Sequence, residues 1–331
     1  MSETRRNNMQ YVKLGNSSLK ISRIILGTMQ YGDKGWQEWL IDDEEETMKH
    51  IKFAYDHGIQ TFDTANLGLP REELVIMTKV CLPRMRNSSF HVRAWGKDPD
   101  DIGLVNQHGL SRKHIFDSVQ QSLERLQVDY VDLLQCHRFD YDTPIEETMQ
   151  ALHDVVQAGW VRYIGMSSCF AYQFHAMQNY AINNNLTPFV SMQNHNNLPY
   201  REDERELYPT LKMSGVASIP WSPLARGLLS RPFREQSHRG ETDWFIKNYQ
   251  GGGTEEIIKR VEEIANRRGV TMAQISIAWN LSKDGVTAPV VGTTSLKNLK
   301  DIIDAVELKL SEEEIKHLEE PYQPRKPLGH K

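Results

Sequence analysis

The chain has 331 residues, 39% hydrophobic and 25% charged, the balance of a globular protein with room for one large domain or two ordinary ones. Lysine and arginine total 39 against 44 acids, a formal net charge of -5 that argues against a nucleic-acid surface. No apolar run is long enough to span a membrane, and the opening MSETRRNNMQ lacks the apolar core of a secretory signal, so we expect a soluble cytoplasmic protein.

In chain order, QYVKLGNSSLKISRI (10–24) reads as a hairpin turning at Asn16, placed to plug the bottom of a barrel. RIILGT (23–28) is a first buried strand. DEEETMKHIKFAYDHG (43–58) follows as a helix, with acids in its first turn and a glycine stop. QTFDTA (60–65) and LVIMTK (74–79) are the second and third strands. After an irregular stretch (87–110) comes the helix SRKHIFDSVQQSLERLQ (111–127), with Ser111 as its cap. VDLLQCH (131–137) is the fourth strand. The next helix, 143–159, has Thr143 as cap, Pro144 at its first position and Gly159 as stop. Strands five to eight are VRYIGMS (161–167), PFVSMQN (188–194), VASIPWS (216–222) and APVVGT (288–293). Helical patterns at 171–185, 201–215, 254–269, 271–285 and 295–306 fill the spaces.

Eight strands alternating with helices argue for an α/β fold, a parallel (β/α)8 TIM barrel, in one domain over 1–331. The hairpin and first strand occupy 10–28, a long loop 226–253, and a C-terminal extension 306–331. An open doubly wound sheet is the alternative, weakened because no G-x-G-x-x-G follows the first strand. Cys81, Cys136 and Cys169 form no C-x-x-C pair and read as buried free thiols.

A parallel barrel works at the C-terminal ends of its strands. There the chain places Thr28, Asp63, Lys79, His137, Ser167 with Ser168, Gln193 with Asn194, Trp221 with Ser222, and Thr293 with Thr294. A lone strand-end Asp is more often a helix cap than a catalyst, but here all eight ends are polar. The residue types narrow the chemistry. Only Asp63 is a well-placed acid, whereas glycoside cleavage needs two. His137 and His195 are too few for a metal site, so we expect no metal. No G-x-S-x-G nucleophile elbow occurs. GGGTEE (251–256) lacks the Lys-Ser/Thr of a phosphate loop and reads as a flexible loop capped by Thr254.

What remains is a pairable Asp63 and Lys79, an imidazole, amides and hydroxyls, and the flat Trp221. A Lys beside an Asp keeps its charge and favours an oxyanion. Ser167, Ser168 and Gln193 can hold a carboxamide, and Trp221 can stack on a planar ring. Ser222, Arg226 and Gly227 in SPLARGLL, with Thr293, Thr294 and Lys297 at the last helix, occupy the usual phosphate region of a barrel. A nicotinamide dinucleotide lying across the top fits this set.

The motifs LGTMQYG, FDTA, VIMTK, LLQCHRFD, RYIGMSS, SMQNHNNL, PWSPLARGLL and VVGTTSLKNL resemble the aldo-keto reductase family over nearly the whole chain. They look most like its fungal branch of aryl-alcohol dehydrogenases and polyketide-pathway reductases. The resemblance implies NADPH-dependent reduction of an aldehyde or ketone on a (β/α)8 barrel by an Asp, Tyr, Lys and His tetrad. It implies Asp63, Lys79 and His137 as catalytic residues. Thr28 and Met29 of the first motif would meet the cofactor, with Ser167, Ser168 and Gln193 on its carboxamide and Trp221 on its ring. Ser222, Pro223, Leu224, Arg226 and Gly227 would serve its pyrophosphate, and Thr293, Thr294, Lys297, Asn298 and Asp301 its adenosine phosphate. Asn298 stands where many members carry an Arg for the 2'-phosphate. That weakens NADP over NAD, and the neighbouring Lys297 compensates.

One piece is missing. In the family a Tyr and a helix follow the FDTA motif, but here NLGLPREE (66–73) runs straight into the third strand. A parallel crossover with its helix needs about 10–12 residues or more, and this link is broken by Gly68 and Pro70. We therefore expect one barrel helix to be absent between strands two and three, with an apolar patch uncovered beside them. The proton-donating Tyr is expected to be absent too, with His137 or Tyr31 as weak substitutes. The gap reads as a skipped exon or misread gene, an inactive paralogue, or an enzyme with altered acid chemistry. Tyr31, Trp36, Trp39, Trp95 and Phe139 near the mouth point to an aromatic or polycyclic small-molecule carbonyl, with His137, Tyr31 and Trp36 against it. The alternative function is a catalytically silent nicotinamide-binding protein acting as partner or regulatory subunit.

Overall fold

The computed structural model describes residues 9–64, 69–82, 97–235 and 237–330. The hairpin forms: β1 (Tyr11–Lys13) and β2 (Lys20–Ser22) pair antiparallel, with Tyr11 opposite Ser22. Its turn docks on the chain below the barrel, where the Asn16 N–H donates to the Gly215 carbonyl at 2.8 Å. Gly15 sits at φ +59, and a Cβ there would come within 2.6 Å of the Gly215 oxygen, so no side chain fits. Leu14 and Ile21 insert into a fully buried cluster with Ile25, Val75, Met77, Leu133 and Ile219. The hairpin is thus the barrel's bottom plug.

Barrel strands one to eight are β3 (Ile25–Gly27), β4 (Thr61–Asp63), β5 (Val75–Val80), β6 (Val131–Cys136), β7 (Val161–Ser167), β8 (Phe189–Gln193), β9 (Ala217–Ser218) and β10 (Val290–Val291). They are parallel and sequential, with β10 returning beside β3. Bridges from Trp221 to Val290 and from Ser218 to Val286 join the last gap, and the Val290 N–H donates to the Pro220 carbonyl at 2.8 Å. The sheet therefore closes, and the open doubly wound alternative is overturned. β7 matches its expected span. β9 and β10 are shorter than expected because Pro220 and Pro289 remove ladder donors inside those runs. Along β5, Val75 and Met77 face the barrel interior, while Ile76 and Val80 join the outer layer under the helices.

The helices are α1 (Glu44–Asp56), α2 (Arg112–Leu126), α3 (Ile145–Gln157), α4 (Ala171–Asn183), α5 (Leu207–Ser214), α6 (His238–Thr242), α7 (Thr254–Arg268), α8 (Met272–Ser282), α9 (Leu296–Asp304) and α10 (Glu312–Glu319). Ser111 caps α2 as expected, accepting from the His114 N–H. Two expected caps move by one residue. Thr143 does not cap α3, because its hydroxyl donates to Asp140 at 2.7 Å and the cap position falls on Pro144. Thr254 is the first residue of α7 rather than its cap, and its hydroxyl donates to the Tyr249 carbonyl at 2.6 Å. The loop 226–253 is less irregular than expected. It holds short helical turns, pinned where Asp243 receives Arg226 and Arg239.

Between β4 and β5 the described residues hold a single 3-10 turn, Arg71–Glu73, and no α-helix. Residues 65–68, the first part of the link, lie outside the described residues, as does Trp95. Arg71 fastens the turn to β6, donating to the Tyr130 carbonyl at 3.0 Å and to Asp132 at 2.7 Å. Tyr55 of α1 donates to Glu73. The expected apolar patch does not form on the strands themselves. Phe62 of β4 and Ile76 of β5, the outward-facing residues, are 0% and 1% exposed. Leu69 of the link packs on the same cluster as Phe53 and Tyr55 of α1 and Phe116 of α2, which explains that burial.

Candidate active site

The upper rim carries its strain where the chemistry was expected. Thr64, Cys81 and Ser168, which follow β4, β5 and β7, have φ of 73, 136 and 41. Ser222, Ala225 and Arg226, in the turn after β9, have φ of 53, 47 and 58. A β-branched threonine rarely adopts such a conformation, and strain of this kind gathers at functional sites. It is held here by the Thr64 N–H donating to the Met77 carbonyl at 2.6 Å and by Thr28, whose hydroxyl donates to the carbonyls of Asp63 and Thr64.

One hydrogen-bonded chain links the strand ends. The Asp63 carboxylate is buried and ion-paired with Lys79. It also accepts from Gln193 Nε2 at 3.2 Å and Gln135 Nε2 at 3.5 Å, and Gln193 Nε2 reaches Gln135 Oε1 at 3.1 Å. A carboxylate only accepts, so Gln193 must turn its nitrogen inward and its oxygen the other way. The Gln193 carbonyl receives the Ser167 hydroxyl at 2.7 Å and the Ser168 N–H at 3.2 Å. Ser168 Oγ in turn receives the Trp221 indole N–H at 3.0 Å. Residues from β3 to β9 are thereby tied into one polar circuit around the mouth.

His137 follows β6, its N–H donating to the Val80 carbonyl at 2.7 Å. Burial, with Arg138 and Lys79 nearby, holds its pKa well below the usual histidine range. It is therefore neutral at ordinary pH, an N–H donor rather than a charged acid. Tyr31 does not stand ready as a replacement acid. Its ring meets His50 of α1 edge-on, its hydroxyl is sealed from solvent, and burial pushes its pKa up to about 12. Trp36 is half-buried in the same loop, and Met29 is exposed. Asn194 is spent on the core, accepting from Ser218 at 2.6 Å and donating to Tyr208 at 3.3 Å.

After β9, Ser222, Pro223, Leu224, Arg226 and Gly227 make a tight turn. A cavity of about 670 Å³ opens beside it, lined by Arg226, Gly227, Arg231, Tyr249, Thr254 and Lys259 among others. Arg226 Nη1 grips Asp243 while its Nε is buried without a partner. At β10, Thr293 Oγ1 accepts from the Ser295 N–H at 3.2 Å, and Ser295 caps α9 through the Asn298 N–H. Lys297 and Asn298 are exposed at that helix start, and Asp301 is half-buried one turn on.

Gln135 escaped the sequence reading, although it is a polar residue inside VDLLQCH, two before His137 and so on the same strand face. The C-terminal tail escaped it too. Leu328 N–H donates to the Tyr200 hydroxyl at 2.9 Å, and a Cβ on Gly329 would lie 3.5 Å from the Trp221 ring, so the tail edges the mouth.

The model of the aldo/keto reductase family matches residues 23–323. A Schizosaccharomyces pombe protein provisionally named aryl-alcohol dehydrogenase is 46% identical over 342 residues, 95% of this chain and 96% of its own length. Versiconal hemiacetal acetate reductase of Aspergillus parasiticus is 42% identical over 339 residues, 96% of this chain and 98% of its own. Aldo-keto reductase AFTS1 of Alternaria alternata is 42% identical over 348 residues, 97% of this chain and 93% of its own. Each match runs longer than the whole 331-residue chain, so each relative carries residues with no counterpart here.

Proposed function

Because the chain belongs to the aldo/keto reductase family and is an oxidoreductase of that family, we propose that it binds NADPH and acts on an aromatic or polyketide-derived aldehyde or ketone, with the reduction step impaired. The observation that carries this is the Asp63–Lys79 ion pair, whose buried carboxylate also accepts from Gln193 and Gln135, on the rim that His137 and Trp221 share. The residues fit a nicotinamide dinucleotide. Trp221 has a flat ring at the mouth, Gln193 spends its amide nitrogen on Asp63 and Gln135 and keeps its amide oxygen for another donor, and the partnerless Arg226 Nε lies beside a cavity whose Arg226, Arg231 and Lys259 stand with Glu235, Glu255 and Glu256. Lys297 at the start of α9 suits a 2'-phosphate, whereas Asn298 offers no charge, so NAD is the second cofactor to test.

When bound, the nicotinamide would supply the hydride. This chain's residues orient the carbonyl and manage charge on its oxygen. Lys79, ion-paired with Asp63, stabilises negative charge there. Neutral His137 donates an N–H to the same oxygen, as a depressed imidazole does elsewhere. The oxygen must also gain a proton. The link 64–74 carries no tyrosine, the Tyr31 hydroxyl is sealed from solvent with a raised pKa, and His137 is neutral. Loss of a positioned acid costs about 10²–10⁴ in rate. The silent-binding alternative rests on this same deficit.

The experiment is titration of the purified chain with NADPH and NADH by quenching of protein fluorescence, followed by an NADPH-oxidation assay over aromatic aldehydes and ketones. We expect binding with slow turnover, lowered further in His137→Ala. Turnover unchanged in His137→Ala would remove histidine from the chemistry. Binding with no turnover at all favours the silent partner, and no binding of either nucleotide defeats both readings.

A further inference from the structure

His195 lies flat beneath Trp221. The ring centroids are 3.9 Å apart with planes 10° from parallel, and the opposite face of His195 lies on Tyr200 at 4.1 Å and 14°. Phe245 and Tyr249 meet the His195 ring edge-on. The imidazole is 0% exposed. Its Nε2 is 2.7 Å from the Tyr249 hydroxyl and 3.2 Å from Asn197 Nδ2, which also donates to the Ser222 carbonyl at 2.9 Å. Asn197 Nδ2 can only donate, so Nε2 accepts and the ring proton sits on Nδ1, which has no partner. Burial and the guanidinium groups of Arg226 and Arg138 hold the ring neutral.

This arrangement is more than a satisfied core histidine needs. The Trp221 indole is fixed at one edge by Ser168 and at its backbone by the N–H donating to the Asn194 carbonyl at 2.8 Å. Those two anchors leave the tilt of the ring open, and Phe245 meets the indole only edge-on, with centroids 5.9 Å apart. A flat neutral ring at stacking distance removes that freedom. We infer that His195 is a positioning residue for cofactor binding. It acts through Trp221, setting the indole plane on which the nicotinamide stacks, and through Asn197 it ties that plane to the Ser222 carbonyl at the head of the 222–227 turn. This rests on the nicotinamide reading above.

The test compares His195→Ala with His195→Phe, using NADPH affinity and near-ultraviolet circular dichroism of the free protein, with Trp221→Phe marking the Trp221 signal. His195→Ala should raise the NADPH Kd by roughly 2–10-fold and alter the Trp221 signal. His195→Phe, which keeps the flat ring but not the acceptor for Asn197, should restore the Trp221 signal and most of the affinity. If His195→Ala does not fold, His195→Gln takes its place with the same expectation. A folded Ala or Gln variant with unchanged Kd and dichroism overturns the inference, as does a Phe variant as impaired as Ala. Should the parent chain bind no nicotinamide nucleotide, the proposed function fails. The dichroism pair would still decide whether His195 holds the indole.

Discussion

Asp63 has three donors aimed at it: the Lys79 ammonium and the side-chain amides of Gln193 and Gln135. Removing Lys79 would leave a buried carboxylate held by neutral amides alone, and breaking a buried pair from one side costs about 3–5 kcal/mol. We expect Lys79→Met to lose stability of that order in urea unfolding. The double variant Asp63→Asn, Lys79→Met should recover a clear part of the loss, because it strands no charge. Simple additivity of the two single losses would show that the pair is uncoupled. That Asp63, Lys79, Gln193 and Trp221 meet at one rim was legible because a barrel gathers its strand ends, and each apolar run ends on a polar residue. Gln135 was overlooked because it sits within an apolar run, where polarity was not sought. Position in a loop after a strand does not say which way a ring turns, and the Tyr31 ring meets His50 of α1.

Strands read more reliably than helix caps because burial on both faces writes a continuous apolar run, whereas a cap depends on one competing hydrogen bond. Thr143 shows this, its hydroxyl being drawn to Asp140 instead of the helix it precedes. The C-terminal element is a firmer case. Ser311 and Glu314 form a capping box on α10, and Glu314 also receives Arg267 and Arg268 from the last turn of α7. Those partners, Arg268 first, hold the Glu314 pKa down at about 2, below its ordinary 4.5. A carboxylate whose folded pKa is depressed stabilises above its unfolded value and loses that contribution as pH falls through the folded one. Glu314→Gln should therefore melt below the wild type at neutral pH, with the gap shrinking from about pH 4.5 and closing near pH 2. Ser311→Ala removes one cap bond and should cost about 1 kcal/mol. A melting gap for Glu314→Gln that stays constant down to pH 2 would mean that the arginine contacts contribute nothing.

At the scale of the molecule, alternation of eight strands with helices was enough to anticipate a parallel barrel plugged by a hairpin, because few topologies bury such a pattern. The cover over the short link was not legible. Crossover arithmetic anticipates a bare flank, yet Phe62 and Ile76 are sealed by Leu69, α1 and α2, with Arg71 clamped to Asp132. On the proposed reading the short link bears on chemistry rather than on folding, and the two can be separated. Inserting after Asn66 a segment that opens with Tyr-Ser and continues as an amphipathic helix would restore a phenol beside Lys79 and His137. If the barrel and its rim are otherwise complete, the graft should raise kcat/KM for an aromatic aldehyde by about 10²–10⁴-fold while leaving the NADPH Kd nearly unchanged, since none of the residues assigned to the nucleotide lies in the link. Its Tm should move little, because the flank is already covered. A folded graft that binds NADPH yet turns over no faster would show that the missing phenol is not what limits this chain. A graft that gains affinity and stability together with rate would show that the short link had distorted the rim itself.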